Sequence, residues 1–528
     1  MLKYGVSNLR RLKDVPPLTL GPITVLVGRN SSGKSTYLRS LPLLRQSIFT
    51  RTSSPILWYG DLVDFGAYDT SVTDNDKNNL IEFTFGTDVL TPTYTERPWA
   101  MDIEEPSKFQ GAIYKVTITP EGFMTRIKNI NLAFADPKLE YNIELDPEGK
   151  ISCLKVNGNT VQLNLEGITL ALSPGTIFPE FRIVRKGPRI PTQYYLYMTR
   201  GVPKLKELVE DFLRPHLSSR LSPEKLEEIA YKALTLGPAP ESDIEAKNFR
   251  TGNKSLNNFL SSLVSPDKSK VRREFVDVLG AAFLPELLNN ATSVFKLMIS
   301  ETLYIGPARA RSERYYRYQD LAVSEIDPDG KNFPMFLNSL SNTQMRQLSK
   351  WIESLFGYGL SVSRTEGPGH LSINITEGDM RSNLVDVGYG VSQILPVLAQ
   401  IWWARERKDP RPNRNLVPAL LAIEQPELHL HPAHQALLAD AIVGEARSKP
   451  SDTNRKDVNF LVETHSETFI NRLGELVAKN KISPEDINIV LFEPDPTGER
   501  ITTTSIATFE SDGSLCDWPY GFFQPSVR

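Results

Sequence analysis

The 528-residue chain has only two cysteines, Cys153 and Cys516. That is too few for a disulfide framework or a cysteine-built metal site, and it suits a reducing compartment. Strong net charge is also lacking. Sixty basic and 63 acidic side chains leave −3, so no field of the whole molecule draws it to nucleic acid, and any such surface has to be local. Long apolar runs are missing too. The longest lies near 394–404 and is interrupted by Gln400, well short of the roughly 18 residues that suggest a membrane-spanning helix. No apolar segment of signal-peptide type follows Lys3 in Met1-Leu2-Lys3-Tyr4-Gly5-Val6. There are no internal repeats and no low-complexity tracts. The expectation is a soluble, cytoplasmic protein without membrane contact. Its length suggests roughly two to four domains or lobes, and 40% hydrophobic with 23% charged residues is ordinary for a globular chain with a large core.

One stretch organises the rest. Gly28-Arg29-Asn30-Ser31-Ser32-Gly33-Lys34-Ser35 fits the phosphate-loop pattern G-x-x-x-x-G-K-[ST]. Ile23-Thr24-Val25-Leu26-Val27 before it is short, apolar and β-branched, and reads as a buried strand entering the loop. After it, Leu38, Leu41 and Leu44 recur every three residues with Leu43 beside them, which predicts a helix from Lys34–Ser35 to Gln46, kinked or ended at Pro42. Strand, glycine loop and helix bring backbone N–H groups and a helix N-terminus together on an anion. There Gly28 and Gly33 admit the turns, Lys34 reaches the β- and γ-phosphates, and the Ser35 hydroxyl holds Mg²⁺. The bland alternative, a chance glycine loop on a βα turn, does not account for both flanking elements. The pattern points to a nucleoside-triphosphate site.

Elsewhere the periodicity divides the chain into three parts. Residues 1–190 begin with an edge strand, a loop through Pro16-Pro17, the phosphate-loop strand and its helix. Segments such as Ile81–Phe85, Tyr114–Ile118 and Leu139–Leu145 then alternate or are β-branched, which predicts a flanking antiparallel sheet. Residues 191–300 read as a helical insertion, with Ser222-Pro223 and Ser265-Pro266 as helix starts and helices over Lys254–Val264 and Lys268–Asn290. Residues 301–528 return to the core through Leu303-Tyr304-Ile305-Gly306-Pro307, with a helix over Asn342–Phe356 and a strand over Leu371–Thr376. Between them, four arginines and three tyrosines alternate from Arg309 to Tyr318. They suit either a phosphate-and-base contact or a charged, packed connector, and the pattern does not choose.

Val417–Glu427 is an apolar strand ending in acids, and a carboxylate there approaches Mg²⁺ from the strand's C-terminal end. Phe460-Leu461-Val462-Glu463-Thr464-His465-Ser466 is a second such strand. Val387–Ile394 is a glycine-rich turn entering an apolar helix, a further helix N-terminus for anions. His429, His431 and His434 invite a metal reading, but no acidic or cysteine ligands accompany them at helix spacing, and His431-Pro432 reads as a turn before a helix.

Taken together these residues resemble the heads of ATP-binding-cassette ATPases, in the branch that includes structural-maintenance-of-chromosomes and OLD proteins. Tyr304–Arg309, Gly388–Pro396, Ile423–Pro432, Glu463–Ser466 and the tail Asp517–Phe523 are similar to the PtuA-type ATPases of Septu and some retron anti-phage systems. The likeness is good over 1–60 and 300–528 and poor between. It implies an α/β fold, a P-loop ATP-binding-cassette-type head with a flanking antiparallel sheet and a helical insertion, using ATP and Mg²⁺. Gly28, Arg29, Asn30, Ser31, Ser32, Gly33, Lys34, Ser35 and Thr36 would form the phosphate loop. Glu424 would be the Walker B acid, sharing the metal with Ser35; Gln425 would stand where relatives carry the catalytic Glu, and His465 would be the switch histidine. Gly388, Gly390, Ser392 and Gln393 would form the signature that completes the ATP site of a second subunit, although they depart from the common L-S-G-G-Q. The resemblance further implies a homodimer or higher homo-oligomer with sites shared in trans. Its expected companions are an HNH nuclease (PtuB-like) and, in retrons, the reverse transcriptase with its RNA and DNA. No nuclease domain is expected after Ser466, where an OLD-type enzyme would place one. The rival readings are a DNA-processing ATPase of the chromosome-maintenance type and, less well supported, a transporter's ATP-binding subunit.

Overall fold

A computed structural model of the protein describes residues 1–76, 78–90, 109–163, 168–185, 205–249, 251–317, 323–364, 369–407, 417–447, 456–494, 502–519 and 522. The predicted tail motif falls partly outside them, at Tyr520, Gly521 and Phe523, as does Tyr318 of the Arg/Tyr segment.

The run Ile23–Gly28 is fully buried because it lies inside a seven-stranded sheet. In order, the strands are Thr302–Ile305, Ala419–Glu424 (the acid strand), Val458–Glu463 (the histidine strand), Ile23–Gly28 (the loop strand), Ile487–Pro494, Thr502–Phe509 and Leu515–Cys516. The first five are parallel, and the last two turn back antiparallel. Apolar residues fill both faces, as expected of a covered parallel sheet. Leu26, Ala422, Leu461 and Phe492 point into one core, and Val25, Ile423, Val462 and Leu491 into another.

The first core is shared with an eight-stranded antiparallel sheet, in the order Leu12–Leu20, Leu2–Leu9, Ile81–Leu90, Phe109–Glu121, Met124–Phe134, Leu139–Leu145, Ile151–Val156 and Asn159–Thr160. Pro16-Pro17 is not the loop the sequence suggested. Both lie within Leu12–Leu20, at the sheet's outer edge, where their missing N–H groups interrupt no ladder. Gly5 makes the crossing possible, since a Cβ there would sit 2.8 Å from the Val15 carbonyl oxygen.

The helix after the phosphate loop runs from Lys34 to Phe49 without ending at Pro42. Leu38, Leu41, Leu43 and Leu44 are fully buried on both sides of the proline, and that burial outweighs the local cost of the ring. The helix Ser269–Ser300 also carries a proline, Pro285, inside it as the expected span did, and runs ten residues past the expected end at Asn290. This long helix is bolted to the antiparallel sheet. Tyr141 Oη donates to the Gly280 carbonyl, Asp277 accepts from Asn157 and Asn159, and Phe295 packs on Phe85 and Tyr114. The helices Lys206–Leu213, Pro223–Leu234 and Lys254–Ser262 pack in the same core. Ser222 caps its helix by accepting from the Lys225 N–H. Ser265 opens only a short 3₁₀ turn and makes no cap.

On the other face lie Asn342–Phe356, Tyr389–Glu406, Pro432–Arg447 and Glu467–Ala478, with a small sheet around His370–Glu377. The helix at Asn342 has a capping box between Ser341 and Gln344 and ends at Gly357 in the left-handed region. Among the described residues, no helix is long and apolar enough to cross a membrane.

Candidate nucleotide-binding site

The loop strand ends in a turn that only glycine permits at two points. Gly28 has φ 152° and a Cβ there would stand 2.3 Å from the Phe492 carbonyl oxygen; Gly33 has φ 98° and a Cβ would meet Leu12 at 2.6 Å. The helix starts at Lys34, and no side chain among the described residues caps its N-terminus, which leaves its first N–H groups for an anion. Lys34 is buried. Its ammonium donates to the carbonyl oxygens of Gly28 and Arg29 at 3.0 and 2.9 Å. Burial lowers its pKa, partly offset by Glu463 and Glu427.

Residues 30–36, Gln425, Glu463 and His465 line an open cleft of about 520 Å³ beside this turn. Gly28 and Arg29 do not line it and hold Lys34 through their carbonyls. Arg10 and Arg11 complete the wall, and sequence reasoning missed them. They form the tip of a hairpin between Leu9 and Leu12. Arg11 donates to the Ser31 carbonyl at 3.0 Å, and the Arg10 guanidinium rests 4.4 Å over the Phe65 ring. Their signal was two adjacent arginines between alternating strands, where a two-residue turn was available.

The two acid-tipped strands end side by side, with Glu424 opposite Glu463. Glu463 accepts from Ser35 Oγ at 2.8 Å, while its Oε2 is buried with no partner among the described residues. Burial first, then repulsion by Glu424, pushes the Glu463 carboxyl up to about 7. Glu424 is placed differently from its expected metal role. It is 1% exposed, accepts two bonds at 2.7 Å from Arg39 and one at 2.7 Å from the Tyr304 hydroxyl, and does not line the cleft. Behind it Arg309 is buried and donates to the Glu424 carbonyl at 3.2 Å, with burial lowering its pKa to about 10. Gln425 has φ 41°, a strained value for a side-chain-bearing residue. Its N–H is tied to the Glu463 carbonyl at 2.8 Å. His465 donates its backbone N–H to Glu427 at 2.7 Å, and burial lowers its imidazole pKa, with Lys34 adding to the effect.

Gly388, Gly390, Ser392 and Gln393 are not brought to this cleft. Gly388 precedes the helix Tyr389–Glu406 and faces open space. Ser392 Oγ donates to the Tyr389 carbonyl at 2.7 Å, and Gln393 donates to the Ala310 carbonyl at 3.3 Å. In the Arg/Tyr segment Arg309 is buried, Arg314 pairs with Asp386, and Arg311 and Arg317 are exposed. The three histidines are in local contacts: His429 with the Tyr389 ring, His434 with Phe356, and His431 Nδ1 accepting from the Ala433 N–H. Among the described residues, no three His, Cys, Asp or Glu side chains form a metal-holding group.

Residues 307–470 match a family described as the AAA ATPase domain. No curated protein matches the chain significantly. Similar solved structures include an Smc head bound to the C-winged helix domain of ScpA, at 12% identity over 96% of this chain and 97% of that one, with a TM-score of 0.32. Another is an Smc head domain with an extended coiled coil bound to the C-terminal domain of ScpA derived from Pyrococcus furiosus, at 13% identity over 96% and 97%, with a TM-score of 0.31. With the ATPase-domain match over 307–470, the buried strand, glycine loop and acid-tipped strands make this chain an ATPase of α/β fold with a P-loop nucleotide site.

Proposed function

We propose that this chain is the slowly hydrolysing ATPase subunit of a cytoplasmic anti-phage defence complex in a prokaryote. In this reading ATP closes two copies head to tail, and the closed state restrains a partner nuclease of HNH type, in some systems beside a reverse transcriptase with its RNA and DNA. The observation that carries it is Gln425. It lines the cleft opposite the phosphate loop at the position that follows the strand-end acid.

Lys34 and the N–H groups of the loop neutralise the phosphates, and the Gln425 amide orients the attacking water without taking its proton, so that positioning does most of the work. A bound Mg²⁺ would supply positive charge against the charge that develops on the phosphates. Ser35 and a strand-end carboxylate, Glu424 or Glu463, would hold it; the unpartnered Glu463 Oε2 beside Ser35 fits a cation. His465 at the cleft wall would sense the γ-phosphate. The signature glycines lie away from their own cleft, which supports a role in a neighbour's site.

Gln425→Glu tests the slow-switch reading. Single-turnover and steady-state assays should show faster hydrolysis in the variant, with a shorter-lived closed dimer. Fast wild-type turnover, or a variant no faster, removes it. A DNA-processing role is the second reading, favoured by exposed Arg311 and Arg317 around exposed Tyr315. Affinity purification from native cells separates the two by recovering a nuclease or DNA.

A further inference from the structure

Two carboxylates reach the end of the parallel sheet, and the fold treats them differently. The histidine strand lies between the acid strand and the loop strand, with Glu463 in register with both Glu424 and Leu26. Glu463 is therefore one strand spacing, about 4.8 Å, from the phosphate-loop strand, and Glu424 about twice that. The near carboxylate touches Ser35 and lines the cleft; the far one does neither.

Their hydrogen bonding is equally unlike. Glu424 accepts from Arg39 Nε, Arg39 Nη2 and Tyr304 Oη. Three of its roughly four lone-pair sites are thus taken and its charge is already matched by a guanidinium. Glu463 has one acceptor oxygen with no donor among the described residues, in a residue 1% exposed. A buried carboxylate oxygen left unmatched is costly. The Lys34 ammonium is turned to the carbonyls of Gly28 and Arg29. The Ser35 hydroxyl has one proton and two lone pairs, so it can donate to Glu463 and still present a lone pair to an ion.

We propose that the divalent cation of this site is held by the Ser35 hydroxyl and the Glu463 carboxylate, and that Glu424 is a structural anchor for Arg39 rather than a metal ligand. The proposal rests on the nucleotide-site reading, because phosphate oxygens and water complete the shell. Such a shell suits Mg²⁺, which takes one or two carboxylates plus substrate phosphates more often than an all-protein cage.

Mn²⁺ is the probe, counted by electron paramagnetic resonance in titrations with a non-hydrolysable ATP analogue. Nucleotide binding without metal is measured separately in EDTA. Glu463→Gln and Ser35→Ala should each weaken Mn²⁺ binding by about tenfold or more, with EDTA-phase nucleotide binding retained. Glu424→Gln should keep Mn²⁺ affinity within about threefold of wild type while lowering the unfolding midpoint. Tyr304→Phe loosens Glu424 without removing it and serves if Glu424→Gln does not fold; its Mn²⁺ affinity should also be unchanged. Wild-type Mn²⁺ affinity in Glu463→Gln, or a loss of affinity in Glu424→Gln or Tyr304→Phe as large as in Glu463→Gln, overturns the proposal. A wild-type protein that binds no nucleotide even in EDTA overturns the nucleotide reading instead.

Discussion

Arg39 sits one helical turn beyond Ser35, so it faces the same sheet end and lays its fork on Glu424. The guanidinium is about one-third exposed and its partner is not exposed at all, at 35% and 1%. Removing the arginine strands a buried carboxylate with only the Tyr304 hydroxyl. Arg39→Met should therefore destabilise the protein by about 3 kcal/mol, read as a lower urea midpoint. Arg39→Met/Glu424→Gln should lose less than Arg39→Met alone, since no charge is then left unpaired. Strict additivity of the two single changes would show that the pair does not couple. The comparison also separates the anchoring role of Glu424 from any catalytic one, because it needs no nucleotide.

At the scale of an element, the helix Tyr389–Glu406 presents its N-terminus with two glycines that are not equivalent. A Cβ at Gly390 would stand 2.6 Å from the His429 carbonyl oxygen, so a bulky residue there disturbs the chain's own packing. At Gly388 nothing lies within 4 Å, and its φ of −40° is open to any residue. Gly388→Trp is accordingly the clean test of the signature. It should block ATP-dependent pairing in analytical ultracentrifugation while leaving nucleotide binding to the phosphate loop intact. An unchanged ATP-dependent shift in sedimentation would remove the in-trans role. Gly390→Trp should fail both measurements, because it strains the turn that carries His429.

Across the whole molecule, the cleft lies where the two cores meet. The hairpin tip Arg10–Arg11 and the loop helix belong with the first core, and Gln425 and His465 follow strands that also back onto the second. A nucleotide therefore ties the two halves together. At a concentration a hundred times its dissociation constant it should add about 2.7 kcal/mol of stability and raise the melting temperature. Lys34→Ala should abolish that rise, since the ammonium supplies charge at the phosphates. Without nucleotide the melting point should fall modestly, because the buried Gly28 carbonyl loses its donor while the Arg29 carbonyl stays partly open to water. Persistence of the ligand-induced rise in the variant would contradict the phosphate-loop assignment. A lost rise together with a collapsed nucleotide-free protein would show instead that Lys34 is chiefly structural.

By itself the sequence determined what local chemistry can dictate. The loop's glycines, the buried run before it, the alternating strands of the antiparallel sheet and the helix Asn342–Phe356 were legible because each follows from turn geometry or period over a short stretch. Pro42 and Pro16-Pro17 misled for the same reason. Their local cost was visible, but the core burial and edge position that absorb it were not. Only the tertiary structure decided how the two acid-tipped strands are ordered, because parallel pairing joins segments far apart in the chain. That order places Glu463 beside the phosphate loop and hands Glu424 to Arg39. It also brings Arg10 and Arg11, an unremarked turn near the start, to the wall of the cleft. Strand ends carry no label for which neighbour they will meet, and the distances between charged groups at this site are set by that choice.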